Sequence, residues 1–180
     1  MRAALDFLYK LCGVLAAISL AGIAVLILAQ IIGRFFGVLV PSANELAGFL
    51  MAGSSFLALA YAFKAGSHIR VNLVLLRLPS AARRWADVVC LAGGSVLAGY
   101  FAWYTWALVA DSIRYNEVAD GLVPIPLAYP QSAMLAGLVV LTIAFVDELI
   151  SVLRGNLPSY DNSQDVVLDN GPSDSIEAND

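Results

Sequence analysis

LCGVLAAISLAGIAVLILAQIIG, residues 11–33, runs for 23 residues without a charged side chain. An α-helix needs about 20 apolar residues to cross roughly 30 Å of hydrocarbon, because lipid offers its backbone groups no hydrogen-bond partners. Arg2 and Lys10 precede the run and give the N-terminus the outline of a signal peptide. The run is nevertheless longer than the usual apolar core of about 7–15 residues and lacks a small-x-small cleavage site, so it reads as a retained first span.

Working outward, Leu46–Phe63 and Val88–Ala110 are likewise uncharged. A fourth run, Leu122–Val146, is interrupted by Pro124, Pro126 and Pro130. Proline suits the first turn of a helix and not its middle, which starts the fourth helix at about Tyr129 or Pro130 and leaves 123–127 as an extended lead-in. The expected spans are therefore about 11–33, 45–64, 86–110 and 129–152, and residues 1–153 form one all-α integral membrane domain. Composition agrees. With 60% hydrophobic residues, 13% charged and a mean hydropathy of +0.79, the 180-residue chain carries more apolar surface than one soluble core can hide.

Charge placement gives an orientation. Lys64, Arg70, Arg77, Arg83 and Arg84 fall in a segment with no acid. At about 2.5–3.5 kcal/mol per buried base, those five would cost more than about 12 kcal/mol inside the membrane. They belong to a cytoplasmic loop, whereas the 34–44 and 111–121 connections carry one base each, Arg34 and Arg114, and face outward. Both termini are then cytoplasmic. Within the basic loop, apolar residues of 69–78 alternate with Arg70 and Arg77 as an interfacial amphipathic helix would, its bases toward lipid headgroups. Trp103, Tyr104 and Trp106 are expected in an aromatic belt at the outer end of the third helix. The net charge of -4 reflects mainly the segment after Arg154, which holds six of the fourteen acids and no base and reads as an acidic disordered cytoplasmic tail, 154–180. Nucleic acid is not an expected partner, because it requires a clustered basic face and the one basic cluster here, Lys64–Arg84, is accounted for by the cytoplasmic loop.

The residues of catalysis are missing from the pattern. His68 is the only histidine, Cys12 and Cys90 are isolated, and no metal-ligand set, two-histidine haem pair or nucleophile triad can be assembled. No enzyme activity, cofactor or metal is expected. Every strong charge lies at or near a helix end, so no intramembrane ion route is apparent either. At those ends, Ser42, Asn44 or Glu45 can cap the second helix, and Arg34 can pair with Glu45 or with another subunit. Asp147 and Glu148 are placed to meet bases such as Arg83 or Arg84. Small residues recur four apart at Gly13, Ala17 and Ala21, at Gly94, Ala98 and Ala102, and at Ala133 and Gly137. Such faces serve internal packing and docking on a partner equally well.

Two stretches carry a resemblance. Asn44-Glu-Leu-Ala-Gly opens the second helix, and about twenty residues later comes Lys64-Ala-Gly-Ser-His-Ile-Arg-Val-Asn-Leu. Together with Gln30-Ile-Ile-Gly-Arg-Phe and the Pro-Ile-Pro before the fourth helix, this resembles the small membrane subunit, the DctQ-like small permease, of tripartite ATP-independent periplasmic (TRAP) transporters over roughly residues 5–153. The chain departs from the pattern at Asn44, where relatives often show a second acid, and in its long acidic tail. The resemblance implies a subunit of a sodium-driven importer in the bacterial inner membrane. A periplasmic solute-binding protein would capture an organic anion, by default a carboxylate, and a large multi-span permease subunit would move it. This chain, in contact with membrane lipid, would support the large subunit. Gly66, His68, Arg70 and Asn72 would shape the inner loop, and Arg34, Asn44 and Glu45 the outer face. The competing classes are a self-associating four-span exporter, which wants an embedded acid that 11–33 lacks, a respiratory-enzyme anchor, and a tetraspan scaffold.

Overall fold

The computed structural model describes residues 2–64 and 80–154, with side chains over 5–64 and 85–154. The proposed interfacial helix and the acidic tail lie outside the described residues. Four helices make up the rest: α1 (Arg2–Phe35), α2 (Ala43–Lys64), α3 (Ser80–Arg114) and α4 (Ala128–Leu153). All four are long and apolar enough to cross a membrane, as their uncharged runs require. α1 and α3 extend beyond the expected spans because their charged flanks, free of helix-breaking prolines, continue the helical hydrogen bonding.

Helix ends follow local chemistry. α1 stops where Gly37 takes a left-handed backbone (φ 68°), allowing the Val38 N–H to reach back to the Gly33 carbonyl at 2.8 Å. α3 stops in the same way at Asn116 (φ 51°), with the Glu117 N–H on the Ser112 carbonyl at 3.0 Å. The lead-in to α4 is extended and folds back on residues 117–119. The Ala119 N–H donates to the Ile125 carbonyl and the Leu127 N–H to the Glu117 carbonyl, with Val118 opposite Pro126. Pro126 thereby occupies a ladder position that needs no N–H. α4 begins at Ala128, which leaves Pro130 in its first turn.

The helices form a row rather than a square bundle. α1 packs on α2, α2 on α4, and α4 on α3, while α1 only grazes α4. Among the described residues α1 and α3 are the two edges. The seams are made by small residues against large ones. Gly13 of α1 lies under the Tyr61 ring of α2, Gly94 of α3 under the Phe145 ring of α4, and Gly137 of α4 against the backbone of Phe56 in α2. Gly13, Gly94, Ala98 and Gly137 thus serve internal packing. Ala17 and Ala21 do not, because the buried stripe of α1 runs instead through Tyr9, Cys12 and Ala16. Phe63 and Phe145 close the α2–α4 seam near one end, their ring centroids 4.3 Å apart.

Candidate functional site

Polar contacts concentrate at the two ends of the row. The α1–α2 turn and the α3–α4 loop share one end, where α1 finishes and α2 begins. Here Ser42, itself in a left-handed conformation (φ 53°), turns its hydroxyl away from α2 and accepts the Val123 N–H of the other loop at 2.9 Å. The expected side-chain cap of α2 by Ser42 is thus replaced by a clamp between loops. Asn44 accepts a hydrogen bond from the Gln30 side chain at 3.2 Å, tying α1 to α2. Glu45 lies against Gly121, and its Oε2 is enclosed without a hydrogen-bond donor. In α3, the Ser112 hydroxyl donates to Glu117 at 2.6 Å and braces the loop from its other side.

Arg34 and Glu45, offered by sequence as a pair, are not joined by an ion pair. Arg34 is exposed and lines a shallow apolar cleft with Ile27, Gln30, Ile31 and Phe35. Gly66, His68, Arg70 and Asn72 lie outside the described residues. The end therefore gathers Asn44 and Glu45 with Gln30, which sequence reading quoted only within a motif, with Gly121, which it passed over, and with Ser42, which it offered as a cap and not as a loop clamp. Gly121 had one available signal, its place in the turn-forming Asp120-Gly121 dipeptide.

A Cβ on Gly121 would come within 2.7 Å of both the Glu45 carboxyl carbon and the Ser42 hydroxyl. Gly121→Ala is therefore expected to displace one of them and destabilise the fold by about 1–3 kcal/mol. Thermal unfolding in detergent reads this out, and an unchanged midpoint would show that the loops give way freely.

The opposite end is also polar. Lys64, closing α2, forms an ion pair with Glu148 of α4 (Nζ to Oε2 3.7 Å), and the carboxylate is nearly completely enclosed. The base that meets Glu148 among the described residues is thus Lys64, on the helix next to it, and the side chains of Arg83 and Arg84 lie outside the described set. Asp87 of α3 is buried nearby in sequence terms, one helix turn beyond Arg83, and the buried Tyr9 hydroxyl of α1 has no hydrogen-bond partner. Among the described residues no group of three or more His, Cys, Asp or Glu side chains is arranged to hold a metal.

Both ends thus lock helices together, and the apolar seams between them present no line of charges across the row. Residues 23–155 match the family described as tripartite ATP-independent periplasmic transporters, DctQ component. No curated protein matches the chain.

Proposed function

The chain belongs to the DctQ-component family of tripartite ATP-independent periplasmic transporters, and on that premise we propose that it is the small, non-catalytic membrane subunit of a sodium-driven, binding-protein-dependent importer of organic anions, carboxylates foremost. The observation that carries this reading is the family match, which spans the C-terminal part of α1 and all of α2, α3 and α4. The architecture supports a supporting role. Static seams of glycine against ring or backbone suit a rigid frame, and the ion pair and loop clamp hold its two ends. Sodium and substrate sites would then belong to the large permease subunit.

The basic segment 64–84 supports a cytoplasmic placement for the Lys64–Glu148 end and for both termini. The Ser42–Val123 end would face the periplasm of a bacterial cell, where the solute-binding protein arrives. In this reading Arg34, Asn44 and Glu45 organise the outer face, and Gly66, His68, Arg70 and Asn72 shape the inner loop.

Mild-detergent purification through a C-terminal tag, from membranes that express the whole system, tests the assignment. A stoichiometric, much larger polytopic polypeptide is expected to remain bound. Recovery of the chain alone as a stable homo-oligomer would overturn it in favour of an exporter or scaffold. The same preparation with alanine at Arg34, Asn44, Glu45, His68 or Arg70, scored for subunit retention and for solute uptake, checks the individual positions. Parental behaviour in both assays would remove a residue from the site.

A further inference from the structure

The two edge helices of the row present different faces outward. On α1 the exposed stripe is aliphatic, running through Val14, Ile18, Val25, Leu28 and Ile32. It offers no hydrogen-bonding side chain, as a surface solvated by acyl chains should not. On α3 the face turned away from α4 carries Tyr100, Trp103 and Tyr104, each more than half exposed at 57%, 71% and 57%. The Tyr100 and Tyr104 rings lie 4.6 Å apart, and Trp103 is exposed between them in sequence.

The depth of this patch decides its meaning. The midpoint of the uncharged stretch 88–110 is residue 99. At about 1.5 Å per residue, Tyr100, Trp103 and Tyr104 stand only about 1.5, 6 and 7.5 Å from it along the helix axis. The hydrocarbon extends about 15 Å to either side of its middle, so aromatics of an interface belt belong farther out. The belt positions on α3 are filled by other residues: exposed Trp85 at one end and exposed Tyr115 just past the other. They are about 45 Å apart, close to the thickness of a bilayer with its headgroups. By this measure Trp103 and Tyr104 lie deeper than the belt in which sequence reading set them together with Trp106. The Tyr100 and Tyr104 hydroxyls hydrogen-bond to one another, which leaves one hydroxyl hydrogen and the Trp103 indole N–H on an open helix face at the depth of the acyl chains, where lipid supplies no acceptor and an unsatisfied polar group is costly.

We infer that the Tyr100–Trp103–Tyr104 face of α3 is the contact through which this subunit holds the other membrane component of the transporter, by way of a transmembrane helix that offers hydrogen-bond acceptors to it. The inference rests on the subunit assignment above and adds which edge of the row is docked. The aromatic edge faces protein, and the aliphatic edge of α1 faces lipid. Tyr and Trp suit such a contact because each combines a large rigid apolar area with one directional donor.

Site-specific photocross-linking in membranes of the complete transporter tests this. A benzophenone amino acid is placed at position 103 and, for comparison, at position 18 on α1, which lies at a similar distance from the middle of its span but toward the opposite end of the row. Position 103 is expected to give an adduct with the larger membrane subunit and position 18 only lipid adducts. An adduct of position 103 with a second copy of this chain, or with lipid alone, would overturn the inference. A second measurement uses Tyr100→Phe/Trp103→Leu/Tyr104→Phe, which alters no buried side chain. Retention of the larger subunit in mild detergent is expected to fall roughly tenfold, while Ile18→Phe leaves it unchanged. Equal retention by the triple variant would contradict the inference. If the parental chain itself retains no larger subunit, the assignment and the inference fall together. Retention by the parent with lipid-only cross-linking at 103 removes the inference alone.

Discussion

Gly137→Leu is expected to abolish assembly of the helix row, the largest effect of any single substitution considered. A Cβ at this position would lie 2.5 Å from the carbonyl carbon and oxygen of Phe56. Both are backbone atoms of a continuous helix, so no rotamer change relieves the contact and α2 and α4 must separate. Overpacking of an ordinary core costs about 1–3 kcal/mol, with part of that strain relieved by side-chain movement. Here the seam is one between backbones, whose attraction in lipid comes from close van der Waals approach rather than from a hydrophobic driving force. Gly137→Ala should already lose the upper end of that range, and leucine should leave a chain that inserts but does not yield a monodisperse particle in mild detergent. Gly93→Leu supplies the comparison, because a Cβ there meets nothing within 4 Å. Size-exclusion profiles for the two leucine variants should differ sharply, and similar profiles would mean that the α2–α4 seam does not hold the fold.

Lys64→Met should lower stability by about 3 kcal/mol, since it removes a base from the enclosed Glu148 carboxylate. That is the low end for breaking a buried pair, chosen because the Lys64 side chain keeps 27% of its surface exposed. For a chain of this size the loss corresponds to a fall in melting temperature of roughly 6–12 °C. Lys64→Met/Glu148→Leu should recover part of it, because removing both charges also removes the desolvation cost of the acid. The double variant melting no higher than Lys64→Met alone would mean that Glu148 is held chiefly by contacts other than Lys64.

The helices themselves were legible from length and charge alone. Residues 11–33 can satisfy their backbone in lipid only as a helix, and the prolines at 124, 126 and 130 locate the start of the fourth to within two residues. The neighbour relations were not legible. A stripe such as Gly13, Ala17, Ala21 states that something packs closely on α1 without stating which helix, and in the event only Gly13 of the three is used. Ser42 shows a similar limit. Ser-Ala-Asn-Glu at 42–45 fits the pattern of a self-capped helix start, and a hydroxyl that could bind its own helix binds a loop 81 residues away instead. Glu148 was recognised as an acid seeking a base. Its partner depended on which helix α4 lies beside, and that information resides in the three-dimensional order of the row.

That order also dictates a sequence of events during biogenesis. α1 with α2, and α3 with α4, are each neighbours in the chain and antiparallel in space, so each pair can close as a hairpin soon after its second helix enters the bilayer. The α2–α4 seam is different, because its helices run parallel and its narrowest point joins residue 56 to residue 137. The first hairpin must therefore wait in the membrane, its α2 face open, until nearly the whole of the second has been synthesised. A chain truncated before α4 would keep the first hairpin and nothing to close it against, which makes the uncovered face of α2 the surface that membrane quality control would meet first.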